Sequence, residues 1–208
     1  MIYLDYASAT PVDKDVLDCY VNVTNNYYGN PNSNHDMGKM AKKVIDEANK
    51  KIANILKVNP DEIIYTSGAT ESNNLAILGA SYRYKNFGNH ILVSSLEHNS
   101  VMSSCLRLQE EGFEVEIIPV NKDGIVDIDV LKSMIRPTTI LVSVTSVDSE
   151  LGIKQPTHEI GKLLKNYDHS IYAHWKFLTL TYDIVSNNYK CANSSAGSMY
   201  AFEYTGNC

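Results

Sequence analysis

Long apolar runs are missing from this chain of 208 residues, and nothing approaches the about 18 consecutive apolar residues that a membrane-crossing helix needs. Met1-Ile-Tyr-Leu-Asp5 has neither a basic lead nor an apolar h-region, so no secretory leader is predicted and a cytoplasmic setting is the expectation. Cysteine is scarce: Cys19, Cys105, Cys191 and Cys208 are widely scattered with no CxxC spacing, which argues against a disulfide framework or a zinc site and for reduced thiols. No long basic run occurs. With 18 Lys+Arg against 24 Asp+Glu the formal charge is −6, which argues against a dedicated nucleic-acid or anionic-membrane surface. Internal repeats and low-complexity tracts are also absent.

What is present is a globular composition. Hydrophobic residues make up 44%, enough for one substantial core and one large domain with a small appendage. Short apolar runs alternate with longer amphipathic stretches, the sign of βαβ units. The predicted class is therefore α/β, a doubly wound, mostly parallel sheet with flanking helices. Helices are predicted at 39–56, 72–85, 101–111, 128–135 and 157–166, and strands at 63–65, 90–94, 114–119, 140–144 and 170–173. The Asn121-Lys-Asp-Gly124 turn and the Arg136-Pro137 stop punctuate this pattern. From about Trp175 it blurs into Thr, Ser, Asn, Tyr and Gly. The expected organisation is a domain over 1–174, with 1–36 as an arm and cleft segment, followed by a divergent tail over 175–208.

The most informative stretch is Tyr65-Thr-Ser-Gly-Ala-Thr-Glu-Ser-Asn-Asn-Leu-Ala76, where an apolar strand runs into a small-residue turn that opens a helix. Such a turn leaves unpaired backbone N–H groups at a helix N-terminus, and these, with the helix dipole, favour a phosphate. Gly68 permits close backbone approach, and Thr66, Ser67, Thr70 and Ser72 offer hydroxyls. A plain helix cap with a capping-box Glu71 reads the same residues without any ligand.

Five motifs resemble those of the NifS/IscS-type cysteine desulfurases, over residues 1 to about 165. They are Tyr3-Leu-Asp-Tyr-Ala-Ser-Ala-Thr-Pro11, Gly29-Asn-Pro-Asn-Ser-Asn-His35, Thr66-Ser-Gly-Ala-Thr-Glu-Ser-Asn-Asn74, Glu97-His-Asn-Ser-Val101 and Glu150-Leu-Gly-Ile-Lys-Gln-Pro156. Their order and spacing match the family's. The resemblance implies the large domain of a fold type I enzyme dependent on pyridoxal 5′-phosphate (PLP), acting as a homodimer. It implies that Ala69 and Thr70 supply backbone and hydroxyl donors to the cofactor phosphate and that His98 stacks on the pyridine ring. Alone, His98 reads equally as a structural hydrogen-bonding histidine. Asn30, Ser33 and His35 are expected at the cleft, with turn formation as the competing reading.

The departures from the family pattern weigh as much as the matches. Where the family's Ser-x-His-Lys places the Schiff-base lysine, the best match is Ser195-Ala-Gly-Ser198, so Ser198 stands at the lysine position and Gly197 replaces a phosphate-side histidine. A serine hydroxyl cannot form an imine. Lys176 stands at the position of the aspartate that pairs with the pyridine nitrogen, where a cation disfavours a pyridinium. Ser149 replaces the amide that meets the ring's 3′-oxygen. Ser195 and Ser149 remain as candidate cofactor contacts. The family's small C-terminal domain, with its nucleophilic cysteine and its arginine for the substrate carboxylate, finds no counterpart before Cys208.

Two functions follow from this. One is a catalytically inactive desulfurase relative, in which PLP binding is noncovalent or absent and a protein partner covers the face that the missing domain would occupy. The other is an active PLP enzyme with a rearranged site or one completed by a partner chain. In that case Lys176 or Lys190 would provide the amine, and Cys191 or Cys208 the nucleophile.

Overall fold

The computed structural model of the protein describes residues 2–4, 9–148, 150–165 and 167, with the backbone of 171–175, 180–182 and 189–191. In chain order its elements are α1 (Lys14–Asn26), α2 (Asp36–Leu56), a 3-10 turn (Pro60–Glu62), α3 (Ala69–Tyr84), β1 (His90–Ser94), α4 (Asn99–Glu110), β2 (Glu114–Ile118), α5 (Ile128–Met134), β3 (Thr139–Thr145), α6 (Thr157–Leu164), β4 (Ile171–Trp175), β5 (Leu180–Tyr182) and β6 (Tyr189–Cys191). They form two compact units, residues 1–65 with 178–196, and residues 66–177 with 197–208.

In the first unit, α1 starts where the Asp13 carboxylate accepts from the Asp15 N–H at 3.0 Å. It buries none of its residues and leaves Leu17, Tyr20 and Val21 exposed. Before α2, the Gly29-to-Gly38 loop is drawn tight, so that a Cβ on Gly29 would lie 2.5 Å from the Met37 carbonyl oxygen. Asn30 accepts from the Asn32 N–H at 2.9 Å, and His35 caps α2 by accepting from the Gly38 N–H at 3.2 Å. Both therefore serve as turn and cap formers. The helix ends at Lys57, in the left-handed region with φ 56°. The strand predicted at 63–65 is reduced to the single bridged residue Ile64. A capping box, in which the Asn59 N–H donates to Glu62 at 2.5 Å, closes the 3-10 turn that stands directly before this stretch. β5 and β6 pair antiparallel.

The second unit carries a four-stranded sheet in the order β2-β1-β3-β4, with every neighbouring pair parallel. Its central strands are buried along their whole length, as a sheet covered on both faces requires. Side chains alternate between two cores. Ile91, Val93 and Leu141 pack with Ala76, Ile77, Val101, Cys105 and Leu108 from α3 and α4. Leu92, Val142 and Val144 pack with Leu131 from α5 and Ile160 and Leu164 from α6. Helices thus cover both faces, the doubly wound arrangement expected from the alternating pattern. At the amino ends of the strands, buried His90 lies 2.7 Å from the Thr139 hydroxyl and 3.2 Å from the Glu116 carboxylate, which also pairs with Arg136.

The strand order positions the site. The chain leaves β1 toward β2 on one side and then crosses back to β3 on the other. Neighbouring β1 and β3 therefore send their following loops in opposite directions, and a crevice opens at their carboxyl ends.

Candidate functional site

A cleft of about 280 Å³ lies at that switch point, lined by Ser95, Leu96, Glu97, His98 and Asn99 after β1 and by Thr145, Asp148, Glu150 and Leu151 after β3. Asp148 shapes the second loop by accepting from the Glu150 N–H at 3.2 Å and the Leu151 N–H at 2.5 Å. Gly152 closes that loop at φ 70°. Below the loop, buried Gln155 donates to the Gly124 carbonyl at 2.7 Å and accepts from the Val126 N–H at 2.9 Å. The glutamine of the Gln-Pro motif is thus part of the scaffold.

Ala69 and Thr70 occupy the first turn of α3, whose N-cap is Gly68 with no side-chain cap bond. Among the described residues the Ala69 and Thr70 amides meet no acceptor, and a Cβ on Gly68 would find nothing within 4 Å. Room for an anion therefore lies over the positive end of a helix of 16 residues. The hydroxyls are less available than the sequence suggests. Thr66 and Ser72 lie 2.5 Å apart, and Ser67 donates through both its N–H (2.7 Å) and its hydroxyl (2.6 Å) to Glu71. Those two bonds hold the Glu71 carboxyl below its ordinary value. Only the Thr70 hydroxyl of the four meets no partner among the described residues. The capping contact therefore forms one residue ahead of the N-cap, and the cap and cradle readings coexist.

His98 is the N-cap of α4, where its Nδ1 accepts from the Ser100 N–H at 3.1 Å. Two hydrogen-bonded lines cross the seam between α3 and α4, one ending at His98 and the other at Thr70. Asn73 Nδ2 donates to Ser100 Oγ at 2.7 Å, and Oγ lies 2.8 Å from His98 Nδ1. Asn74 donates to the Thr70 carbonyl at 2.7 Å, while Ser104 donates to Asn74 Oδ1 at 3.1 Å. Asn73, Ser100 and Ser104 are all buried. Sequence reasoning attaches a role to one end of each line, His98 and Thr70, and none to the residues that hold them.

Glu97 was visible only as the first letter of Glu-His. Its Oε1 is buried without a partner, while the carboxyl takes hydrogen bonds from the Thr145 backbone and the Ser143 side chain. Burial outweighs these bonds and pushes the carboxyl up to about 7. The same burial, aided by the Glu97 charge, pushes the Cys105 thiol up to about 12, so this free cysteine is no nucleophile. Ser149, Lys176, Ser195 and Ser198, with the side chains of Lys190, Cys191 and Cys208, lie outside the described residues. Among the described residues no group of three or more His, Cys, Asp or Glu is placed to hold a metal ion, and no helix is long and apolar enough to cross a membrane.

A doubly wound parallel sheet flanked by helices, with a cleft at the switch point, is the architecture of the large domain of fold type I PLP enzymes. The chain belongs to the class-V aminotransferase family, whose profile matches residues 2–173. Within it, the chain is 46% identical over 164 residues to cysteine desulfurase IscS 1 of Archaeoglobus fulgidus, an alignment covering 79% of this chain and 43% of that protein. It is 41% identical over 174 residues to the Homo sapiens cysteine desulfurase, covering 83% of this chain and 38% of the relative. Among solved structures, a NifS-like protein superposes with TM-score 0.82 at 27% identity, covering 93% of this chain and 57% of that one. The structure of SspA in complex with cysteine gives 0.80 at 31%, covering 96% and 60%. The chain thus spans less than half the length of these two curated relatives.

Proposed function

We propose that this chain is a NifS-like member of the family that keeps a noncovalent pocket for PLP and does not desulfurate cysteine on its own. The observation that carries the reading is Ser198 at the family's lysine position, because a hydroxyl offers no amine for covalent attachment. Lys176 at the aspartate position works in the same direction, since a cation opposes protonation of the ring nitrogen.

The described residues fit the cofactor's phosphate and ring. The Ala69 and Thr70 amides with the Thr70 hydroxyl would hold the phosphate. His98, fixed at the head of α4, would lie against the ring. When bound in working relatives, PLP supplies an electron sink for substrate carbanions. Here the protein's own groups bind and orient, with Glu97 holding a proton beside the cleft.

Ser149 and Ser195 are proposed as the remaining cofactor contacts. The domain is taken as 1–174, with 175–208 as a divergent tail. Association into a homodimer is proposed from the exposed Leu17, Tyr20 and Val21 on α1, and a cytoplasmic setting goes with the reduced thiols.

The test is an absorbance scan of purified protein mixed with PLP, treated with borohydride and then dialysed. The expected outcome is a cofactor spectrum that dialysis removes and borohydride does not fix to the polypeptide. Cofactor retained on the chain after that treatment, or alanine released from cysteine, would refute the proposal and favour a relocated amine such as Lys176.

A further inference from the structure

Asn73 and Ser100 are 27 residues apart in sequence, yet both are buried where the second turn of α3 meets the first turn of α4. Their contact bears directly on the one ring nitrogen of His98 that points into the protein. The Ser100 backbone N–H, aimed by the helix, reaches His98 Nδ1 at 3.1 Å. A backbone N–H can only donate, so Nδ1 must present a lone pair. Ser100 Oγ, at 2.8 Å from the same nitrogen, then donates its hydroxyl proton to it and accepts from Asn73 Nδ2 at 2.7 Å. The two Ser100 donors share the one Nδ1 lone pair, an arrangement that gives the Ser100 N–H, the Ser100 hydroxyl and the Asn73 amide a partner of the right kind. The proton of the neutral ring is left on Nε2, which meets no acceptor among the described residues.

We infer that Asn73 and Ser100 are positioning residues that lock His98 in its Nε2–H tautomer, so that the cleft offers a ring N–H donor to a ligand bringing an acceptor oxygen. The lock also joins the two halves of the candidate site, since the helix that cradles an anion at Ala69 and Thr70 is the helix that orients His98. The identity of the ligand rests on the PLP reading above, whereas the tautomer is a property of the protein alone.

Two-bond proton–nitrogen correlation spectra of the histidine rings in ¹⁵N-labelled protein test this at about pH 8, above the ordinary histidine range. His98→Gln assigns the signals. The wild type is expected to show His98 as a single Nε2–H form. Ser100→Ala keeps the backbone donor but removes the hydroxyl, so it should move the Nδ1 resonance toward that of an unbonded ring nitrogen, while Ser100→Thr, which keeps the hydroxyl, should restore the wild-type pattern. An Nδ1–H or mixed ring in the wild type overturns the inference, and that reading needs no variant to fold. A folded Ser100→Ala with an unchanged ring spectrum overturns it too. Addition of PLP to the wild type separates the two claims. Ring signals that stay in place while the Nε2–H form persists count against the ligand reading and leave the tautomer standing.

Discussion

Replacing Glu97 by Gln tests the electrostatics of the cleft most directly, because it removes one titrating proton and keeps the shape. In the folded chain, burial raises this carboxyl from the usual 4.5 to about 7. The folded state therefore binds the proton more tightly than the unfolded state, and stability falls as the pH rises between those values. The contribution is fully present below about 4.5 and gone above about 7. At about 1.4 kcal/mol per tenfold change, the gap sets an upper figure of about 3 kcal/mol. Glu97 as a whole is only half-buried and borders a water-accessible cleft, which brings the expected effect to about 1–3 kcal/mol. Urea unfolding of wild type and Glu97→Gln across this range should show the variant gaining on the wild type as pH rises. Two stability curves that run parallel within about 0.5 kcal/mol from pH 5 to 8 would refute the reasoning, since a shift of this size cannot be silent in linkage.

Gly68→Ala is expected to separate binding from folding. The backbone there is extended, at φ 165°, and the added methyl meets nothing, so thermal stability should change by less than about 1 kcal/mol. The same methyl intrudes on the anion space, and PLP affinity measured by equilibrium dialysis should fall about tenfold. Cys105 should resist iodoacetamide at about pH 8 in the folded protein and react once unfolded, as read by peptide mass spectrometry, because burial leaves almost no thiolate. Rapid labelling in the native state would contradict the burial. Light scattering should give twice the chain mass, and replacing Leu17 and Val21 by Asp should return the monomer; a wild-type monomer would remove the α1 interface.

The sheet was legible because its strands are apolar runs that stand out against their flanks, and 90–94 matches β1 residue for residue. Strand 63–65 is extended backbone after the capped 3-10 turn at Pro60, with only Ile64 bridged. The helix α1 escaped notice because its Asn and β-branched residues weigh against a helix, although Leu17, Tyr20 and Val21 stand at helical spacing and Asp13 was present as a capping signal. At the site, the family motifs pointed to Thr70 and His98. Asn73 and Ser100 stood inside the motifs with no role attached and Ser104 outside them, since serine and asparagine in a helix normally read as weak helix formers. Their roles come from contacts 27 and 30 residues distant in the chain. The raised Glu97 carboxyl was invisible for the same reason, because burial belongs to the fold and not to the residue type.

The polar seam between α3 and α4 bears on how such a domain changes over evolutionary time. Helices held together by grease tolerate sliding and substitution by one aliphatic for another, whereas each amide or hydroxyl in this seam leaves an orphan behind when lost, at about 1–3 kcal/mol apiece. Selection for mere foldedness therefore preserves the vestibule's geometry long after any demand on turnover has lapsed, and an intact-looking vestibule is by itself a record of architecture, silent about use.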